Sequence, residues 1–215
     1  EADDAPSRAT ISSSQTDMSH KRTPDQEFAL AVFAGDFEKA ARLLREGVDI
    51  NRIIQTTEPD ERGIYDCTAT YLVDTASRGA VEAVRFLLDT GADPNISIDS
   101  IHPGQTALLA AAINGHAKIV DLLLKRGADF SALDHPTKSS AMEYAVSSQN
   151  SAIVRSLLAA GAPPIFRRLT FNADGGAEAR EVVRMLIEHG FDINKRDDWG
   201  RTPLMWAAQE ASLET

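Results

Sequence analysis

The sequence predicts an all-α fold made of about five to six copies of one helix pair, preceded by a polar tail. Three observations support this prediction: a helical pattern ending in glycine recurs five times, a shorter helix precedes it, and residues 1–23 show neither pattern. With 215 residues, 43% of them hydrophobic, the chain can bury a substantial core. We therefore interpret 24–215 as one repeat array rather than as two domains.

The first 23 residues form the predicted tail. They are rich in Ser, Thr and charged side chains and show no apolar periodicity. Such a segment buries too little apolar surface to offset the entropy that ordering costs, so we expect it to be disordered. The array is expected to begin at Pro24.

The more regular helix of each pair ends at a glycine. Apolar residues lie three, four and seven positions before each of these glycines, which places them on one helical face. Glycine is favoured at this point because the residue that follows a helix commonly adopts a positive φ. The glycines are Gly47, Gly91, Gly127, Gly161 and Gly190.

A second, shorter helix precedes each of these helices. Its clearest copies start after Thr106 and Thr202, whose hydroxyl groups can accept a hydrogen bond from an unpaired backbone N–H of the first turn. Thr70 and Ser140 begin weaker copies. Each repeat is therefore predicted to be a capped short helix followed by a longer one.

This unit resembles the ankyrin repeat in its cap, short helix, glycine, second helix and ending, which reads GADPN at 91–95, GAD at 127–129 and GFDIN at 190–194. The resemblance covers roughly 24–215. It implies a solenoid of stacked helix pairs with β-hairpin tips on one side, and a concave surface formed by the tips and first helices. The approximate repeats are 24–53, 67–97, 103–132, 137–164, 165–196 and a partial 199–215.

The array departs from a regular repeat in three places. Residues 54–66 enlarge the first tip, and enlarged tips of solenoids are often functional. The fifth repeat has no recognisable cap or first helix in 165–176. The chain stops within the sixth repeat, so that repeat either caps the array or belongs to a longer protein.

Charge and composition disfavour several classes of function. The 22 basic and 32 acidic residues give a net charge of −10, most of it in the array, which disfavours nucleic acids and anionic membranes as partners. The single cysteine, Cys67, allows no internal disulfide, and no apolar run is long enough to span a membrane. Nucleotide-binding, zinc-protease and serine-hydrolase motifs are missing, so we expect neither cofactor nor metal. A soluble monomer in the cytoplasm is expected, with the nucleus as the alternative.

The favoured function is binding of another protein, whose identity the sequence does not indicate. The resemblance implies that side chains on the concave surface would bind a segment of this partner, and aromatic residues and arginines are typical anchors. The binding candidates are Arg78, Asn114, Tyr144, Trp199, Arg201 and Trp206.

The alternative is a small-molecule binder or an enzyme with its site under the enlarged first tip. Neighbouring tips would present a carboxylate and imidazoles on one side, and Arg78 would bind an anionic group. Metal-free hydrolysis, isomerisation or cyclisation by acid–base chemistry would fit these groups. The catalytic candidates are Asp66, Asp74, His102, His135 and Tyr144.

Overall fold

The computed structural model describes residues 22–55, 68–98, 104–135, 137–165, 177–196, 200–202 and 205. Helix pairs follow one another along these residues, as predicted. The pairs are α1 (Pro24–Ala34) with α2 (Phe37–Arg45), α3 (Tyr71–Ser77) with α4 (Val81–Asp89), α5 (Ala107–Ile113) with α6 (Ala117–Lys125), and α7 (Ala141–Ser147) with α8 (Ser151–Ala159); α9 (Ala177–Glu188) follows. The expectations for residues 1–21 and 166–176 lie outside the described residues.

Local signals at the helix ends agree with the sequence. Thr70, Thr106 and Ser140 are the N-caps of α3, α5 and α7, and all five predicted glycines have positive φ. Thr23, which the prediction placed at the end of the tail, is the N-cap of α1. Its hydroxyl accepts from the Gln26 N–H at 3.2 Å, and the Gln26 side chain accepts from the Thr23 N–H at 3.0 Å. This reciprocal pair fixes the start of the array.

The helices form two layers. The first helices α3, α5 and α7 pack side by side, and the second helices α4, α6, α8 and α9 form the other layer. On α5, Ala110, Ala111 and Ala112 are fully buried, which lets the neighbouring first helices approach closely. The largest fully buried side chains include Phe28, Tyr71, Leu72, Leu87, Leu108, Leu123 and Leu157.

The tips begin as short antiparallel pairings. In the first tip, β1 (Ile53–Gln55) pairs with β2 (Thr68–Thr70), with Ile53 opposite Thr70. The enlarged tip predicted at 54–66 therefore stands on a small hairpin, although 56–67 lie outside the described part. In the described parts of the next two tips, one bridge joins Ile98 to Gln105 and another joins Leu133 to Ser140.

Polar side chains join consecutive repeats. The Asn51 side-chain oxygen accepts from the Asp93 N–H at 2.9 Å, and the Asn95 oxygen accepts from the Asp129 N–H at 2.8 Å. His116 Nε2 lies 3.0 Å from the Ser77 carbonyl oxygen in the preceding repeat. His116 therefore joins the third repeat to the second.

A buried tyrosine joins the first two repeats. Tyr71 donates its hydroxyl to the Asp25 carboxylate at 3.1 Å, Arg52 pairs with the same carboxylate at 2.9 Å, and the Tyr71 ring meets Phe28 edge to face at 4.6 Å. Burial, and secondarily the charge of Asp25, raise the pKa of Tyr71 far above its usual value. Tyr71 therefore stays a neutral hydrogen-bond donor.

Candidate interaction surface

The first helices present a face that can be defined by counting back from the residue that ends each of them. This residue, Gly35, Gly79, Gly115 or Gln149, has positive φ in every described pair. One, two and five positions earlier lie the residues of what we call the inner-helix face. They are Leu30, Phe33, Ala34, Asp74, Ser77, Arg78, Ala110, Ile113, Asn114, Tyr144, Ser147 and Ser148.

Large apolar side chains are exposed at one end of the inner-helix face. Leu30 is 49% exposed, Phe33 41% and Ile113 42%. Ala110 also belongs to this face but is fully buried, because α3 and α7 pack against both sides of α5. The sequence prediction missed Leu30 and Phe33. It located the first helices from their N-cap residues, and Thr23, the N-cap of α1, had been assigned to the tail. Aligning Gly35 with Gly115 would have found both.

Arg78, on the same face, is held by two contacts. Its Nε donates to the Asp74 carboxylate at 2.8 Å, and its guanidinium carbon lies 5.1 Å from the centre of the Phe33 ring. Asp74 is only 7% exposed, whereas about half of the Arg78 side chain remains open to solvent. The pair places a guanidinium group on an aromatic platform at the surface of the second repeat.

The polar side chains further along the face bond back to their own helices. Asn114 donates its amide to the Ala110 carbonyl at 2.8 Å, and Ser148 donates to the Tyr144 carbonyl at 2.9 Å. Over the first three repeats the face therefore exposes apolar side chains and Arg78, whereas at the fourth repeat its side chains are polar and uncharged.

Tyr144 belongs to a hydrogen-bonded cluster around Asp134 in the third tip. The Asp134 carboxylate accepts from the Tyr144 hydroxyl at 2.5 Å, the Thr137 hydroxyl at 2.6 Å and the Ser139 N–H at 2.7 Å. Burial raises the pKa of Asp134, but these hydrogen bonds outweigh it and hold the pKa below its usual value. Burial, together with the bond to Asp134, raises the pKa of Tyr144. The cluster fixes the tip against α7.

We expect Asp134→Asn to destabilise the protein by about 1–2 kcal/mol at pH 7, because the hydroxyl donors lose a charged acceptor. A carboxyl group whose pKa is lowered by folding stabilises the folded state above its unfolded pKa of about 3.9, and this contribution is lost as the pH falls. The difference between wild type and variant should therefore shrink below about pH 4. Thermal unfolding of both proteins, followed by circular dichroism at several pH values, measures this difference in stability.

The matched control is Asp121→Asn, which removes the same charge from an exposed pair with Lys125 on α6. An exposed pair of this kind contributes little, so the control should change stability by well under 1 kcal/mol at pH 7. A constant difference between wild type and Asp134→Asn from pH 7 to pH 3 would contradict the role assigned to the carboxylate.

The catalytic candidates are not brought into one cluster within the described residues. Asp74 pairs with Arg78 and Tyr144 with Asp134, while exposed His135 packs against Gly104 of the neighbouring tip. Asp66 and His102 lie outside the described residues, as do the binding candidates Trp199 and Trp206. Arg201 is described and is partly buried.

Two further properties concern the described residues as a group. No three His, Cys, Asp or Glu side chains converge there as metal ligands would. Across the same ranges, no helix is both long enough and apolar enough to cross a membrane.

Stacked helix pairs with capped first helices, glycine-terminated second helices and hairpin tips define an ankyrin-type solenoid. Family models agree: ankyrin repeats (3 copies) match residues 28–134 and 72–167, and ankyrin repeats (many copies) match 180–215. The chain therefore belongs to the ankyrin repeat family.

Individual proteins show how far the similarity extends. The chain is 28% identical to the ankyrin repeat protein YahD of Escherichia coli (strain K12), over 92% of this chain and 95% of that protein. It is 33% identical to the human B-cell lymphoma 3 protein over 51% of this chain but only 26% of that protein. The crystal structure of the ankyrin repeat protein EF0377 matches with a TM-score of 0.68 at 22% identity, covering 87% of this chain and 93% of that one. This last likeness concerns the fold alone.

Proposed function

We propose that this protein is a protein–protein interaction module that binds a segment of a partner protein on its inner-helix face. The observation that supports this most directly is the exposure of large apolar side chains on the same face as Arg78. Leu30, Phe33 and Ile113 are each exposed by more than 40%, although they lie on helices whose other large apolar residues are mostly buried.

The chemistry of this group suits a binding hot spot. Aromatic residues and arginines are enriched among the residues that contribute most to binding, and here Phe33 and Arg78 are in contact. Phe33 and Arg78 hold each other in place, and Arg78 ends α3, which packs against α5, so little ordering would be needed on binding. The predicted contribution of Asn114 and Tyr144 would extend the surface toward the fourth repeat.

The experiment is selection of binders from a displayed library of random 15-residue peptides, followed by affinity measurement with purified variants. Phe33→Ala and Ile113→Ala should each lower the affinity for a selected peptide by about tenfold or more, because each variant removes an anchor residue. Ile187→Ala is the matched control. Ile187 is 46% exposed, close to the 42% of Ile113, but stands on the second-layer helix α9.

The control variant should bind the selected peptides as the wild type does. If all selected peptides bind Phe33→Ala and Ile113→Ala with unchanged affinity, the inner-helix face is not the binding surface and the proposal fails.

The predictions for the far end of the array complete the proposal. Trp199, Arg201 and Trp206 would continue the binding surface at the last tip and the sixth repeat. A monomer in the cytoplasm, or alternatively in the nucleus, fits a module whose face is reserved for a partner. Light scattering at a mass near 23.3 kDa would support the monomer.

A further inference from the structure

Arg78 is oriented in a way that leaves part of its hydrogen-bonding capacity open. Its Nε–H donates to Asp74 and its guanidinium carbon lies over the Phe33 ring, and no other partner of the Arg78 side chain occurs among the described residues. A guanidinium group has five N–H donors, of which four are on the two Nη atoms. The Nη edge can therefore accept a planar anion in a two-bond arrangement.

The local charge favours an anion of low charge. Asp74 neutralises Arg78, and the whole chain carries a net charge of −10. A single carboxylate gains two charge-assisted hydrogen bonds at the Nη edge and meets little further repulsion. A doubly charged phosphate would meet the acidic field of the chain without a second cation to balance it, because Arg78 is the cation of the inner-helix face in the described residues.

The apolar neighbours specify what surrounds the carboxylate. Phe33 contacts Arg78 on one side, and Ile113 stands on the next first helix on the other side. Packed helices lie about 8–10 Å apart, which an extended chain crosses in about three residues at ~3.4 Å each. A segment lying across the helices would place an apolar residue about three positions from the acidic one.

We propose that Arg78 recognises one aspartate or glutamate side chain in the partner segment, with apolar residues on both sides packing on Leu30 and Phe33 and on Ile113. This inference rests on the proposed function and names the chemistry of the segment that the inner-helix face would bind. Asp74 and Phe33 act as positioning residues, because both contact the guanidinium group of Arg78.

The first part of the test changes the peptide. A selected peptide is synthesised with Asp, Asn or phosphoserine at its acidic position and titrated against the wild-type protein. We expect the Asn peptide to bind about tenfold or more weakly than the Asp peptide, because a charge-assisted pair is lost. Equal affinities of the Asp and Asn peptides would overturn the inference. Phosphoserine binding more than tenfold tighter than Asp would also overturn it.

The second part changes the protein. Arg78→Gln should weaken binding of the Asp peptide and abolish its higher affinity relative to the Asn peptide. Arg78→Lys should restore only part of this difference, because lysine lacks the two parallel N–H donors of the guanidinium group. Asp74→Asn keeps an oxygen that can accept the Nε–H of Arg78 but leaves the arginine charge uncompensated, so it should strengthen binding of the Asp peptide. The control, Arg85→Gln, removes an exposed arginine from α4 in the same repeat and should change nothing.

Folding and binding are separated by one more variant. Arg78→Gln leaves the nearly buried Asp74 unpaired, so the double variant Asp74→Asn, Arg78→Gln is tested beside it, with thermal unfolding followed for both. If a folded double variant still prefers the Asp peptide, the inference is wrong. If Phe33→Ala and Ile113→Ala abolish binding while the acidic position has no effect, the proposed function stands and this inference alone fails.

Discussion

Gly104→Ala is expected to destabilise the protein by about 2–4 kcal/mol, because the substitution combines backbone strain with a steric clash. Gly104 has φ of +82°, and its N–H donates to the Ile98 carbonyl at 2.8 Å within the second tip. A Cβ at this position would lie 2.6 Å from the Leu133 carbonyl oxygen and 2.8 Å from Cδ2 of the His135 ring. The clash is with the backbone of the neighbouring tip, so a side-chain rotation does not relieve it.

The matched control for this prediction is Gly91→Ala. Gly91 also has positive φ, +103°, but an added Cβ would meet no atom within 4 Å. Its expected loss is therefore only the cost of the left-handed conformation, about 1–2 kcal/mol. Urea denaturation of both variants measures the difference. Equal losses would show that the tips do not press on Gly104 as the structure indicates.

Local features of the fold could be predicted from the sequence. A cap such as Thr106 acts on the N–H groups of its own first turn, and a glycine such as Gly91 ends its own helix. Both effects span a few residues, so they are visible in one sequence. The recurrence of these local signals carried the resemblance to the ankyrin repeat, and that resemblance implied the stacking of helix pairs.

The candidate site depends on contacts between repeats, which the sequence does not show directly. Asp74 and Arg78 are four residues apart on one helix, so their pairing was within reach of sequence reasoning. The contact of Arg78 with Phe33 joins two repeats and depends on how they stack. The role of Phe33 was therefore missed, although Arg78 itself was predicted.

The conformation of the tips was a second feature that could not be predicted from the sequence. Tyr144 was predicted as an accessible residue of the concave surface, but its hydroxyl is held by Asp134. The loop that brings the two together includes Lys138 with φ of +52°, a conformation that non-glycine residues rarely adopt. No sequence pattern predicts a non-glycine residue with positive φ at this position, so the cluster could be identified only from the structure.

Leu123→Ala is expected to cost about 2–5 kcal/mol of folding stability, a large share of the ~5–15 kcal/mol available to a typical domain. Leu123 is fully buried on α6, which packs against α5 and α8 of the same and the next repeat. Since each repeat contacts only its neighbours, a cavity here weakens the array at its centre, where no other contact compensates. Chemical denaturation of the purified variant measures the loss.

Ile113→Ala is the comparison that separates folding from binding, because it truncates an aliphatic side chain in the same repeat. Ile113 is 42% exposed, so its truncation should cost under about 1 kcal/mol of stability. At a temperature where both variants are folded, Leu123→Ala should bind the selected peptides normally and Ile113→Ala should not. Reduced binding by fully folded Leu123→Ala would mean that the inner-helix face depends on the core packing beneath it. In that case the variants on α5 and α6 would not separate the residues that stabilise the repeat from the residues that bind the peptide.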